Sequence, residues 1–336
     1  MFDTQNAPLV TVRNLRKVYT TGSFLNRAVT NAVDDVSFDI RPGETLGLVG
    51  ESGSGKSTMG RLLAGLEEVT AGEVRFAGSP LDRSDRRGLL RLWRDTQMVF
   101  QDPYSSLNPI LTVRQCLMEP LRNFGVASGV EAERLVRKTI TACGLPVSAL
   151  DRYPSSFSGG QRQRVGIARA LIIKPRFIIA DEPVSALDVS IQAQIVNLMQ
   201  DLKADFGLTY LFVAHDLALV RHVSDRIAVM YRGRVVEIGD TDAIYDRPQH
   251  PYTRLLTSSI PIPDVQRERA RVQMIKGMAT TTTQTGASGC RFAPRCPIAT
   301  EVCTRLVPQL KSTASGQQAA CHLAPEAPGT PEAKTR

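Results

Sequence analysis

Long hydrophobic runs are missing from this 336-residue chain. No stretch approaches the ~18 consecutive apolar residues that a membrane-spanning helix needs. The most apolar region, 168–180, is broken by Arg169, Lys174, Pro175 and Arg176. The first residues, Met1-Phe2-Asp3-Thr4-Gln5-Asn6, lack both a basic start and an apolar core, so no secretory signal is expected. An acidic excess is missing too, since the formal net charge is +8. A basic balance suits nucleic acid, an anionic membrane surface or an acidic ligand. Here much of the arginine is interleaved with acids, as in Asp82-Arg83-Ser84-Asp85-Arg86-Arg87. That is the pattern of a solvated helix face, and no nucleic-acid partner is expected from it. Cysteine is scarce, with six in the chain. Cys116 and Cys143 fall in helical patterns and are expected to be buried, inert thiols.

What the chain does have is a glycine-rich loop in a telling context. Gly50-Glu51-Ser52-Gly53-Ser54-Gly55-Lys56-Ser57-Thr58 follows the apolar run Leu46-Gly47-Leu48-Val49 and precedes a helical pattern from Met59. Strand, glycine loop and Lys-Ser at a helix start make a phosphate-binding P-loop. Its glycines let backbone N–H groups turn onto a polyphosphate, and the helix N-terminus adds the positive end of its dipole. Lys56 is expected to reach the β and γ phosphates, and Ser57 to hold Mg²⁺. Alone, the same letters are a Gly/Ser-rich turn; the flanks argue against that.

Periodicity gives strands near 9–12, 33–40, 45–49, 74–76 and 97–100, with a polar helix through 89–93. From 112 to about 153 the pattern is helical, on Val113, Leu117, Leu121, Ala132, Leu135, Val136 and Ile140. A helix over 161–173 follows. Strands at 177–181 and 209–214 bracket a helix at 189–206, and strands at 226–231 and 234–238 meet at the turn Arg232-Gly233. Alternating strands and helices around a P-loop predict an α/β core with a largely parallel sheet. After Ile260 the texture changes. Pro261-Ile262-Pro263 reads as a linker, 280–286 is a low-complexity threonine run, and the end from Pro325 is Pro/Ala/Glu-rich and expected to be disordered.

A second motif is Phe157-Ser158-Gly159-Gly160-Gln161. With the P-loop it resembles the signature of the ATP-binding cassette (ABC) family, and further elements follow in the family's order. Tyr19 stands where the family has an aromatic that stacks on adenine. Gln101 resembles the Q-loop glutamine. Phe177-Ile178-Ile179-Ala180-Asp181-Glu182 resembles Walker B, Ser185-Ala186-Leu187-Asp188 the D-loop, and His215 the switch histidine. More specific phrases are Val99-Phe100-Gln101-Asp102-Pro103-Tyr104, Tyr153-Pro154 and His250-Pro251-Tyr252-Thr253. They are similar to the ATP-binding subunits of bacterial dipeptide/oligopeptide/nickel importers, and the resemblance runs from about Val10 to Cys321.

The resemblance implies a P-loop ABC ATPase core with an antiparallel β subdomain, an inserted helical subdomain at about 103–165 and a small cysteine-rich C-terminal extension. The implied boundaries are 1–260 for the nucleotide-binding domain, 261–325 for the extension and 326–336 for a disordered tail. ATP and Mg²⁺ are the implied ligands. Gly50, Ser52, Gly53, Gly55, Lys56, Ser57 and Thr58 would cradle the phosphates. Asp181 would bind Mg²⁺, with Ser57 and Gln101. Glu182 would be the general base, His215 would orient the attacking water and sense the γ-phosphate, and Gln101 would contact Mg²⁺ or the water and report its presence to a partner. Ser158, Gly159, Gly160, Gln161 and Asp188 would complete the site of a second ATPase domain paired head to tail. Other implied partners are two transmembrane permease subunits and, through them, an extracytoplasmic substrate-binding protein. The implied location is the cytoplasmic face of the membrane, as a peripheral subunit.

The extension carries Cys290, Cys296, Cys303 and Cys321. Gly289-Cys290-Arg291-Phe292-Ala293-Pro294-Arg295-Cys296-Pro297 resembles the importer family's C-terminal motif, which implies a [4Fe-4S] cluster on the four thiolates. Zinc, disulfides and free thiols are the alternatives; a cytosolic chain disfavours disulfides, and the short Cys pairs usual for zinc are absent. Because the tail holds no cassette motif, its effect on ATP hydrolysis is expected to be modest. A soluble ABC ATPase acting on nucleic acid or the ribosome is the competing reading. Against it, no long coiled coil fits between Thr58 and Phe157, and there is one cassette rather than two. Cargo would be chosen by the binding protein and permease, so the ATPase sequence assigns none.

Overall fold

A computed structural model describes residues 7–22, 28–102, 104, 106–258 and 289–325. The expected linker at 261–263, the threonine run at 280–286 and the tail at 326–336 lie outside the described residues. Its strands are β1 (Val10–Thr21), β2 (Ala28–Ile40), β3 (Thr45–Val49), β4 (Ala71–Phe76), β5 (Ser79–Pro80), β6 (Thr96–Val99), β7 (Phe177–Asp181), β8 (Thr209–Ala214), β9 (Arg226–Tyr231), β10 (Arg234–Asp240), β11 (Lys311–Ser312) and β12 (Gln318–Ala319). The α-helices are α1 (Lys56–Leu63), α2 (Arg86–Asp95), α3 (Val113–Asn123), α4 (Gly129–Ala142), α5 (Gly159–Leu171), α6 (Val189–Phe206), α7 (Leu217–Val223), α8 (Thr241–Asp246), α9 (Pro251–Ser258) and α10 (Glu301–Arg305). β1, β2, β4 and β5 form a four-stranded sheet in the order β2-β1-β4-β5.

By contacts the chain divides into two units. One takes the chain up to Arg13, Phe38–Thr45 and Ser57–Ala214; the other takes Asn14–Ser37, Leu46–Lys56 and everything from His215. In the first, β6, β7 and β8 are parallel neighbours, with Val99 opposite Ala180 and Ala180 opposite Phe212. Every residue of β7 and β8 is buried. Burial on both faces is why these strands read as continuous apolar runs rather than alternations. The helical insertion in this unit is α3, α4 and the start of α5, packed on one another. Thr112 and Gln115 close a capping box that starts α3. Val113, Leu117, Leu121, Val136 and Ile140 are all fully buried, as their spacing predicts. Cys116 and Cys143 are buried as expected, and burial pushes the Cys143 thiol up to about 12.

In the second unit the strand order is β11-β12-β10-β9-β3. β3 runs parallel to β9, and β9 returns into β10 through Arg232-Gly233, both at positive φ. That pair of left-handed residues suits a two-residue hairpin. The sequence pattern gave no hint of β11 or β12. They are two residues each and exist because β12 adds to the edge of β10, pairing Ala319 with Glu237 and Gln318 with Ile238. Likewise β1 and β2 extend well beyond 9–12 and 33–40, since their outer stretches are exposed and polar and show no apolar alternation.

The C-terminal segment of this unit is held by an aromatic cluster and a buried carboxylate. Tyr231, Tyr252 and Phe292 are buried, with ring centroids 4.5–5.5 Å apart. Glu237 accepts hydrogen bonds from the backbone N–H of Gln249 and His250 and from Gln317 Nε2, at 2.7–2.8 Å. His250 then caps α9. Its Nδ1 accepts the N–H of Tyr252 at 3.0 Å, and Pro251 takes the first helical position, where no N–H is needed.

Only the neutral ring can accept through Nδ1, and burial pushes its pKa down to about 3. The unfolded chain binds that proton near pH 6.5 and the folded chain does not. The stabilisation is therefore present above about pH 6.5 and lost as pH falls toward 3. A His250→Asn variant keeps a capping acceptor that does not titrate. The stability advantage of wild type over this variant should shrink by about 1.5 kcal/mol between pH 6.5 and 5, read from urea midpoints. A difference that is constant with pH would contradict the buried neutral histidine.

Candidate nucleotide site

In the second unit, the buried strand β3 ends at Val49 and the chain turns through Gly50–Gly55 into α1. Lys56 is 4% exposed. Its Nζ reaches back across the loop to the carbonyls of Gly50 (2.8 Å) and Glu51 (3.1 Å). Ser54 N–H donates to Glu51 O at 3.1 Å, and Gly233 N–H donates to Ser54 O at 2.8 Å. Gly55 stands at φ +104, and a Cβ there would meet Ala32 O at 2.1 Å, so a side chain has no room. The loop thus turns on glycine, with Ser52 and Gly53 exposed at its tip and a helix N-terminus behind it. Backbone donors, a helix dipole and an ammonium group converging on one loop make a polyphosphate cradle. Tyr19 is half-buried on β1, with Lys17 Nζ 5.0 Å from its ring centre. His215 is exposed, and the next residue, Asp216, caps α7 by accepting the Ala218 N–H at 2.8 Å.

The first unit holds the carboxylates. Ser57 Oγ donates to Asp181 Oδ1 at 3.0 Å. Asp181, at the end of β7, is 7% exposed. A hydroxyl and a carboxylate paired at the end of a buried strand are oxygen donors suited to a hard cation such as Mg²⁺. Glu182 follows at φ +47, a left-handed conformation that costs a non-glycine residue energy. It is held there by its own N–H to Val213 O at 3.0 Å and by Ser185 Oγ on its carbonyl at 3.1 Å. The kink brings its Oε2 to 3.1 Å from Gln101 Nε2. So Ser57 and Asp181, both expected at Mg²⁺, are paired, while Gln101, expected with them, bonds Glu182 instead. Thr58 is part of α1 behind Ser57.

The signature forms the start of α5. Ser158 and Gln161 close a capping box, side chain to backbone in both directions. Ser158 and Gln161 are exposed while Gly160 is buried. A Cβ at Gly160 would come within 2.5 Å of Ile191 Cγ2 on α6, so glycine here lets two helices pack closely. Asp188 is exposed at the start of α6 and makes no side-chain cap.

The four tail cysteines sit in the second unit. All are free thiols, and all line one small cavity together with His250, Phe292 and Leu323. Burial pushes the thiols of Cys290, Cys296 and Cys321 up, and their mutual proximity pushes the same way. Among the described residues no three His, Cys, Asp or Glu side chains form a group that could hold a metal ion. Four thiols are donors of the kind a thiolate-bound metal centre uses, but they are not arranged as a metal-holding group.

Two residues hold the loop in a way the sequence motifs that contain them did not announce. Tyr252 OH accepts the Glu51 N–H at 2.9 Å, and both Arg295 Nη atoms bond the Glu51 carboxylate at 3.0 Å. Glu51 lies 244 positions from Arg295, and only the fold reveals the pairing.

These features agree with comparisons to known proteins. Residues 33–185 match the ABC transporter family, and residues 236–303 match the oligopeptide/dipeptide transporter C-terminal region. A Brucella ovis protein described as a peptide import ATP-binding protein is 49% identical over 316 residues, covering 94% of this chain and 97% of that one. The oligopeptide transport ATP-binding protein AppF of Bacillus subtilis is 45% identical over 94% of this chain and 97% of its own length. Among solved structures, the ATP-binding cassette MJ0796, dimeric in a post-hydrolysis state bound to ADP and Pi, superposes with a TM-score of 0.62. It is 32% identical, over 69% of this chain and 98% of that one. With the P-loop, the Ser57–Asp181 and Gln101–Glu182 pairs and the capped signature helix all in place, the chain belongs to the ABC transporter family, among its ATP-binding proteins.

Proposed function

We propose that this protein is the ATP-hydrolysing subunit of a bacterial peptide-type importer. The observation that carries the chemistry is the Gln101–Glu182–Asp181–Ser57 constellation, with a strained glutamate at the end of a buried strand. Phosphoryl transfer to water needs positioning and charge stabilisation more than covalent chemistry. The loop 50–58 grips the β and γ phosphates, with Lys56 as its fixed charge. Ser57 and Asp181 would hold Mg²⁺, which would supply charge neutralisation on the phosphates. Glu182 takes the proton of the attacking water, His215 orients that water, and Gln101 contacts both. Tyr19 stacks on adenine. Ser158, Gly159, Gly160, Gln161 and Asp188 face the nucleotide held by a second ATPase subunit, identical or a sister, in a head-to-tail dimer.

Peptide-type import is supported by the 236–303 match and by the names of the relatives. No helix among the described residues is long and apolar enough to cross a membrane. In the importer reading, separate permease subunits carry the cargo across. In the first unit a groove of about 420 Å³ is lined by Leu66, Trp93, Met98, Phe100, Pro120 and Phe124. It suits an apolar segment of such a permease at the cytoplasmic face. Phe100 in that groove is followed directly by Gln101, which touches Glu182, giving the docked partner a one-residue route to the reacting centre. An extracytoplasmic binding protein would deliver cargo to the permease. The domain division is 1–260 for the cassette and 261–325 for the extension, with 326–336 as a tail; the first boundary falls on residues outside those described.

The extension is proposed to carry a [4Fe-4S] cluster on Cys290, Cys296, Cys303 and Cys321. One zinc needs its sulfurs at about 2.3 Å from a single ion, hence about 3.8 Å from one another. A cluster presents four irons at separate corners and takes more widely spaced thiolates. The four cysteines line one cavity; the cluster reading rests on their residue type and on the motif around Cys290 and Cys296, since no three His, Cys, Asp or Glu side chains among the described residues form a group that could hold a metal ion.

Glu182→Gln should keep nucleotide binding and lower steady-state hydrolysis by about 10²–10⁴-fold, because shape is retained and the base is lost. Near-normal turnover with this change at both sites of the complex would remove Glu182 from the role. Lys56→Ala should weaken nucleotide binding itself; unchanged affinity would contradict the cradle. Anaerobically purified protein should be brown, with about four iron and four acid-labile sulfide per chain. Colourless protein with one tightly bound zinc would replace the cluster by a zinc staple.

A further inference from the structure

Glu51 is the second residue of the phosphate loop and brings a carboxylate to a place built for an anion. It is anchored at every polar group. Its N–H goes to Tyr252 OH at 2.9 Å, its carbonyl accepts from Ser54 N–H and Lys56 Nζ at 3.1 Å each, and its carboxylate takes the guanidinium of Arg295 through both oxygens at 3.0 Å. Tyr252 opens α9, and Arg295 immediately precedes Cys296. Both belong to the C-terminal segment, and all of these residues lie in one structural unit. Arg295 is itself seated among aromatic rings, its guanidinium 5.7 Å from Phe292 and 5.9 Å from Tyr231. A second arginine of the same loop, Arg291, bonds Asp34 and the carbonyl of Arg232. The next residue, Gly233, gives its N–H to Ser54 of the phosphate loop and its carbonyl to Asp34 N–H.

The pair's exposure says what it is for. Glu51 and Arg295 side chains are 44% and 30% exposed, and an ion pair that open to water adds little to global stability. Its position is the point. A polyphosphate arriving at the loop meets one carboxylate near the N–H donors. Left alone, that carboxylate repels the incoming anion; bound bidentately by a guanidinium, it is neutralised and turned aside. The hydrogen bond to Tyr252 has a matching effect on the backbone, since it fixes the first peptide of the turn from outside the cradle.

We propose that Arg295, with Tyr252, is a positioning residue for nucleotide binding: the C-terminal segment neutralises and holds Glu51, so the affinity of the phosphate loop for ATP is set in part from the cysteine-rich end of the chain. This rests on the reading of the loop as the nucleotide site. It also replaces the expectation that the tail matters little to the ATPase.

The test uses the full chain and a fluorescent ATP analogue, with melting temperature as the check on folding. Arg295→Ala should weaken binding by about 10-fold at low salt, and the deficit should shrink as salt rises and screens the bare carboxylate. Arg295→Lys, which keeps the charge and loses the fork, should fall between. The decisive variant is the double change Arg295→Ala with Glu51→Gln. Removing the unpaired carboxylate should return affinity to within about 3-fold of wild type, an epistasis that loss of packing does not produce. Wild-type affinity in Arg295→Ala overturns the inference. So does a salt-independent loss that the double change leaves in place, which would make Arg295 a packing residue only. Lys56→Ala, run alongside, separates the two levels. If it too leaves affinity unchanged, the loop is not the nucleotide site; if it abolishes binding while Arg295→Ala does nothing, only the positioning role fails.

Discussion

A glycine-rich turn that closes few hydrogen bonds of its own has to be held from outside. This constraint organises the second unit. Besides the Ser54 N–H on Glu51 O, the turn from Gly50 to Gly55 is held by partners beyond it. Lys56 Nζ takes two of the carbonyls, Gly233 N–H takes a third, and Tyr252 and Arg295 take the two outward-facing groups of Glu51. The β9–β10 hairpin, the helix α9 and the cysteine segment all supply such an outside partner. Each is anchored in turn: the hairpin by its ladder, α9 by the cap from His250, and the cysteine segment by the aromatic cluster and the pairing of β12 with β10.

The first unit meets a complementary demand. Charged oxygens must be presented at the end of a strand that is otherwise buried. β7 does this by running apolar from Phe177 to Ala180 and ending in Asp181, then kinking at Glu182. The positive φ of Glu182 is paid for by backbone and hydroxyl hydrogen bonds that fix it, and the result is a carboxylate aimed at Gln101 rather than away from it. The same unit puts Phe100 in an apolar groove directly before that glutamine, so the groove and the Gln101–Glu182 pair share one stretch of chain.

The C-terminal segment joins these themes through charge. Buried Glu237 organises its backbone with three neutral donors around it, whereas Asp34 and Glu51 meet arginines from the cysteine loop. Buried positions are solved with hydrogen bonds, and half-exposed ones near the phosphate loop with guanidinium groups. The division follows from the cost of burying charge, which hydrogen bonds offset inside and water offsets outside.

By itself the sequence determined the cassette. The runs 45–49, 177–181, 189–206, 209–214 and 226–231 coincide with the observed elements, because buried strands and a long amphipathic helix carry period and composition locally. The candidate site residues were equally legible, since Lys56, Ser57, Asp181, Glu182 and Gln101 sit in short motifs whose residue types are read locally. Tertiary structure alone decided three things. It set the lengths of β1 and β2 and the existence of β11 and β12, which depend on edge pairing rather than on apolar pattern. It strained Glu182 into a left-handed conformation, which no residue type announces. And it brought Arg295 and Tyr252 to Glu51 across more than two hundred positions, because a contact between distant segments is written in the packing of both and in the local sequence of neither.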